Sequence, residues 1–251
     1  MTEKKDVKNK YVVACSGGKD SVATILISLE KKEPLDEVTW VEVMLDKETS
    51  GEVPEHRDFV YKSLKPFCEN NGIRFTVLHS SKTYDDVFHH NFTKGKNSGM
   101  KHGFTWPRRC AVNRDCKLKA IHEYKRIEKN CLIFYVGIAA DEKKRLKRLS
   151  KTTDISLLEK YNITEIDAFN LCKKNNLLSP VYNLTKRNGC WFCPNAKDTE
   201  LLHVLNNHVN LFNKLIEWEN EKNVVNKSFN LKETPSEIKA RLLSANYGHK
   251  E

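Results

Sequence analysis

Apolar residues follow two alternating rhythms along this chain. Residues 11–15 (YVVAC) form a short, continuous, β-rich run. Behind Gly17 and Gly18, residues 20–29 (DSVATILISL) carry apolar side chains at helical spacing. The pattern predicts a strand, a tight turn and a helix. Further strands are predicted over 37–45, 73–79 and 131–138, and helices over 54–71 (Val60, Leu64 and Phe67 on one face) and 118–127. Strands alternating with helices imply an α/β fold, a parallel sheet covered by helices. Ligands then belong at the carboxyl ends of the strands.

Beyond residue 152 the pattern is mainly helical. Residues 164–173 read as a helix with Thr164 as its N-cap, and 199–222 as an amphipathic helical region. Residues 226–251 are polar and hard to place. A connection over 91–109 is rich in Gly, Lys and Asn, and one this long is usually functional or disordered. The expected organisation is a disordered tail over 1–10, a main domain over 11–198 and a helical extension over 199–251.

The 251 residues suit one large domain with an appendage, and 39% hydrophobic residues supply its core. No apolar run approaches 18 residues, and the opening MTEKKDVKNK has no apolar stretch behind its charges. A cytoplasmic protein without membrane contact is therefore expected. A net charge of +10 favours an anionic partner: a nucleotide, a sulfated or phosphorylated substrate, or nucleic acid. Eight cysteines without a secretion signal point to buried thiols and metal ligands rather than disulfides.

The sharpest local signal is Ser16-Gly17-Gly18-Lys19-Asp20-Ser21, between a predicted strand and a predicted helix. Two glycines let main-chain amides approach an anion. The helix presents its positive dipole end to the same place. Ser16 and Ser21 offer hydroxyls, and Lys19 a point charge. Neither the Walker A spacing nor G-x-G-x-x-G is present. SGGKDS resembles the PP-loop of N-type ATP pyrophosphatases.

Other segments resemble the phosphoadenosine phosphosulfate (PAPS) reductase family within that superfamily. Residues 43–54 (VMLDKETSGEVP) look like its second-strand loop, where Asp46 would contact ribose or magnesium; a plain strand-ending turn is the alternative. Arg108, Arg109 and Cys110 through Lys119 look like its Cys-Thr-x-x-x-Lys segment. Residues 136–148 (VGIAADEKKRLKR) look like its Gly-Ile-Arg-x-x-Glu-x-x-Arg segment, with Gly137 letting the nucleotide approach and Arg145 and Arg148 meeting its anionic end. Ala139 stands where that family often has Arg. Residues 162–182 resemble the segment leading into its last motif.

The resemblance covers roughly 11–200. It implies an adenine nucleotide alpha hydrolase-like, Rossmann-like sheet. It also implies ATP, PAPS or adenylylsulfate held with Mg2+ by residues 16–21, Asp46, Gly137 and Arg148, with Lys19, Asp20 and Arg145 catalytic. A sulfur-donor protein, a homodimeric partner and a nucleic-acid acceptor are the partners in view.

Cys190-Trp191-Phe192-Cys193 is a C-x-x-C turn able to put two sulfurs on one metal, and Cys110 and Cys116 supply a second pair. Four thiolates could hold Zn2+ or a [4Fe–4S] cluster, with iron–sulfur preferred from its use in adenylylsulfate reductases and DNA phosphorothioation enzymes. A redox dithiol at Cys190 and Cys193, or a metal-free Cys110 near the nucleotide, are the other readings. Cys15, Cys131 and Cys172 lie within apolar patterns and are read as core, and Cys68, on the second predicted helix, as structural. True reductases of the family carry a catalytic cysteine in a Glu-Cys-Gly-like C-terminal motif, and here no cysteine follows Cys193. The expected activity is therefore ATP-dependent adenylation of an acceptor, with pyrophosphate release; the resemblance alone implies a link to sulfur transfer. A PAPS or adenylylsulfate reductase and a non-catalytic nucleotide- or nucleic-acid-binding protein are the alternatives. Trp106 and Trp191 are its candidates for base stacking.

Overall fold

The computed structural model describes residues 9–107, 110–128, 131–185 and 189–247. The chain forms two compact units. One gathers the described residues of Met1–Val41, Pro54–Leu78 and Ile121–Asn188, the other those of Glu42–Val53, His79–Ala120 and Gly189–Glu251. Among the described residues the strands are β1 (Asn9–Cys15), β2 (Glu37–Val41), β3 (Arg74–Leu78), β4 (Lys101–Gly103), β5 (Cys131–Val136) and β6 (Val224–Asn226).

The first unit is an α/β layer around a four-stranded, all-parallel sheet of order β3-β2-β1-β5. Such a sheet is apolar on both faces because helices cover it. Val12, Val13 and Val38 are fully buried, and Trp40 is 1% exposed. The chain adds β2 and β3 on one side of β1, then returns to lay β5 on the other. That reversal creates a switch point at the carboxyl ends of β1 and β5, where doubly wound sheets bind ligands. The residues standing there are those after Cys15 and after Val136.

The first helix, α1 (Lys19–Glu30), starts from Gly18 in an extended conformation, with Asp20 favourably placed in its positive first turn. Every residue from Ser21 to Ser28 is buried, against helices Leu157–Lys160 and Glu165–Lys174. The latter begins at Thr164, whose side chain accepts from the Asp167 amide in a capping box, as the sequence predicts. The predicted 54–71 helix runs as Pro54–Phe59 and Lys65–Asn70, joined through a wider π-type stretch at Val60–Leu64. The strand predicted over 37–45 ends at Val41, because the chain there leaves the sheet for the second unit.

The second unit has its own core, in which Val43, Leu45, Tyr84, Phe88, Phe104 and Phe192 meet Leu201, Phe212, Phe229 and Ile238. Among the described residues its α-helices include Tyr84–Phe88, Asp198–Asn207, Val209–Glu219 and Pro235–Tyr247. The last falls in the polar stretch 226–251. The 91–109 connection contains β4, which pairs in parallel with β6. Gly103 is required there: its φ is +85°, and an added Cβ would lie 2.1 Å from the Asn226 carbonyl oxygen. Among the described residues, no helix is long and apolar enough to cross a membrane.

Candidate functional site

Residues Ser16–Lys19 turn the chain from β1 into α1. Gly17 has φ +71°, which favours glycine. Its surroundings forbid a side chain as well: an added Cβ would lie 2.7 Å from His56 Cε1 and 2.9 Å from Val60 Cγ2. Ser21, 5% exposed, organises the turn from inside, for its hydroxyl donates to the Gly18 carbonyl (2.9 Å) and accepts from the Ser16 amide (3.2 Å). Its hydroxyl proton is thus held within the loop rather than offered to a ligand.

The neighbouring amides also find acceptors. Gly17 N–H donates to Cys15 Sγ (3.2 Å) and Gly18 N–H to Ser16 Oγ (3.3 Å). Lys19 N–H donates to the Tyr182 hydroxyl at 2.9 Å. Burial keeps that phenol protonated by raising its pKa. The amides at the start of α1 have no intrahelical partner and carry the positive end of the dipole. Tyr182 is a neutral oxygen in a place that suits an oxyanion.

Lys19 Nζ bridges Asp20 Oδ1 (2.7 Å) and Glu165 Oε1 (2.9 Å). Burial works to neutralise this ammonium, but Asp20 and Glu165 outweigh it and raise the pKa. Burial lifts the pKa of Asp20, with Lys19 opposing. Lys19, Glu165, Ile166, Phe169, Tyr182 and Thr185 line an open cleft of about 440 Å³ beside the loop. Ile166 stands 72% exposed at it.

At the end of β5, Gly137 is needed for packing against α1. A Cβ there would lie 2.6 Å from the Ser21 nitrogen and 2.7 Å from the Asp20 carbonyl carbon. Ala139, where the resembling family has Arg, is fully buried in the core. Arg145 pairs with Glu142 at 2.6 and 2.8 Å, and Arg148 Nε donates to the Lys144 carbonyl (3.3 Å), both on the helix Lys143–Leu149.

His56 belongs to no motif legible in the sequence. It is fully buried in the helix that starts at Pro54. Its Nε2 lies 3.0 Å from the Ser16 carbonyl oxygen and its Nδ1 2.8 Å from Ser179 Oγ. A lone histidine outside any motif carries no readable signal.

Asp46 belongs to the second unit. Its Oδ1 accepts from the Glu48 (2.9 Å) and Thr49 (2.6 Å) amides, and its Oδ2 from Lys214 Nζ at 2.9 Å. Burial alone would raise its pKa, but Lys214 and the two amides hold it at about 2.

The four candidate cysteines all lie in the second unit, with free thiols. Cys193 N–H donates to the Cys190 carbonyl (3.1 Å), closing the C-x-x-C turn. Between them Trp191 donates its indole N–H to the Ser50 carbonyl, and Phe192 stacks on Tyr84 with centroids 4.4 Å apart. Trp191 is 2% exposed, so it packs the turn and is no stacking platform for bases; Trp106 is 47% exposed. Cys110 is exposed and its sulfur accepts from the Asn113 amide (3.4 Å). Arg108 and Arg109 lie outside the described residues.

The Lys117 ammonium lies 3.8 Å from the Glu52 carboxylate, whose charge raises its pKa. Burial pushes the Cys190 thiol up, and Lys117 opposes it. Cys116 is different: it lies 1% exposed in the core, where burial pushes its thiol up to about 12. Among the described residues, no three cysteine sulfurs lie within 4.8 Å of one another.

No family model matches the chain, and no curated protein matches it. Among solved structures it is similar to the U34-tRNA thiolase NcsA from Methanococcus maripaludis with its [4Fe-4S] cluster, at 18% identity and a TM-score of 0.41, over 97% of this chain and 82% of that chain.

Proposed function

We propose that this chain is a PP-loop enzyme that binds ATP at residues 16–21 and adenylates an acceptor on the way to sulfur transfer. The observation that carries the reading is the glycine turn at the switch point, with a left-handed Gly17 leading into the amino end of a fully packed helix. A phosphate oxygen would replace the Tyr182 hydroxyl on the Lys19 amide and gain the dipole of α1. Lys19 would neutralise the developing charge with Mg2+, and Arg145 and Arg148 would turn from their present partners to the anionic end of the ligand. An acceptor oxygen then attacks the α-phosphorus, the bond to the bridging oxygen breaks, and pyrophosphate leaves. The cleft beside Lys19 is of a size that small ligands occupy.

The thiols of Cys110, Cys190 and Cys193, all in the second unit with Lys117, would hold a [4Fe–4S] cluster, with Cys116 the remaining candidate ligand. Tetrahedral zinc at ~2.3 Å per bond needs its sulfurs ~3.8 Å apart. Among the described residues no three cysteine sulfurs lie that close, which favours the cluster over zinc. Its chemistry would be to hold or deliver sulfur. A nucleic acid is supported as acceptor by the charge of residues 79–120, which hold nine Lys and Arg against three Asp.

The test is anaerobic purification with iron, sulfide and zinc analysis, then assay of pyrophosphate and AMP from ATP with RNA or DNA present. The reading expects stoichiometric iron and acceptor-dependent pyrophosphate. Sulfite release from PAPS or adenylylsulfate, without ATP turnover, would replace it with a reductase.

A further inference from the structure

We propose that His56 is the positioning residue that holds the phosphate loop in its anion-accepting shape; this rests on the loop binding phosphates. Three observations converge on the imidazole. It is fully buried, so its two ring nitrogens must find partners inside the protein. Nε2 reaches the Ser16 carbonyl oxygen at 3.0 Å and Nδ1 reaches Ser179 Oγ at 2.8 Å. The ring also occupies the space that any side chain at residue 17 would need.

The Ser16 carbonyl can only accept, so the nitrogen facing it carries a hydrogen. Nε2–H donates, and Nδ1 faces a hydroxyl that can serve either protonation state. The Ser16 carbonyl is the negative end of the first peptide unit in the loop. Left free, it could turn toward the anion and repel it. Tied to His56, it points to the imidazole, and the next peptide runs through Gly17 at φ +71° toward the amides of α1. Ser179 completes the tether. It immediately precedes the short 3₁₀ turn Pro180–Asn183, which carries Tyr182, the acceptor on the Lys19 amide. His56 thus fixes one edge of the loop, and Tyr182 marks the position the anion would take at the other. His56 touches no phosphate itself.

The experiment compares the wild type with His56→Ala, His56→Gln and Ser179→Ala. Affinities for inorganic pyrophosphate and ATP are measured by calorimetry, and folding by thermal melting. Loss of a buried hydrogen bond of ~1.4 kcal/mol corresponds to about tenfold in affinity. His56→Ala is expected to weaken pyrophosphate about tenfold. His56→Gln, whose amide N–H can still reach the Ser16 carbonyl, is expected to stay within about threefold of wild type. Unchanged affinity in His56→Ala, or equal losses in Ala and Gln variants, would overturn the proposal by reducing His56 to packing. If His56→Ala does not fold, Ser179→Ala and His56→Gln decide. A clear loss in the first with retention in the second supports the tether, and wild-type affinity in Ser179→Ala overturns it. If the wild type itself binds neither pyrophosphate nor ATP, the nucleotide reading fails, and the role of His56 fails with it.

Discussion

The Ser21 hydroxyl closes the phosphate loop onto the Gly18 carbonyl. The first turn of α1 packs against Gly137. Asp46 holds Lys214 and the amides of Glu48 and Thr49. That environment makes a pH prediction. The folded pKa of about 2 lies below the ordinary 3.8, so Asp46 contributes stability that is complete above pH 3.8 and is lost as pH falls toward 2. Denaturant midpoints measured across that window should fall less steeply for Asp46→Asn than for wild type. Equal slopes would show that the pairing with Lys214 does not persist in solution.

Elements built from continuous apolar runs were legible. Residues 11–15 and 131–138 became the neighbouring strands β1 and β5 with little change of bounds. Strands β4 and β6 were not, for each has three residues and exists only by pairing across more than a hundred positions. The helix Pro235–Tyr247 did leave a local trace. Thr234 with Pro235 and Glu237 is a start signal, and in the structure the Thr234 amide donates to Glu237 Oε2 at 2.8 Å. Short polar flanks hid it. In the loop the glycine motif was readable, whereas His56 and Tyr182 act through tertiary contacts that no spacing encodes. The seam between β5 and α1 is testable at this scale. Gly137→Ala forces a methyl against main-chain atoms that cannot rotate away. It should cost about 1–3 kcal/mol in unfolding free energy, as overpacking does. It should also weaken ATP binding by displacing the first turn of α1. A variant with unchanged melting temperature and affinity would contradict this packing.

Across the whole molecule, the second unit depends on segments far apart in sequence. Leu201, Val204, Phe212, Leu215, Phe229 and Ile238 share a core with Val43, Leu45, Tyr84 and Phe192. Helix periodicity revealed that residues beyond 198 have an apolar face, but not which partner covers it. Burial at this level implies that a chain ending at residue 198 cannot keep that core. The shortened protein should lose near-ultraviolet circular dichroism from the buried aromatics and bind a hydrophobic dye. Retention of the full spectrum would mean that 199–251 only decorates the unit.

The central claim, that residues 16–21 grip the phosphates of ATP, is tested most directly by calorimetric titration of ATP into wild type and Lys19→Ala. Removing a charge-assisted contact of ~1.5–3 kcal/mol should weaken binding roughly 10- to 150-fold, with melting behaviour preserved. Equal affinity in the two proteins, or no ATP binding by the wild type, would contradict it.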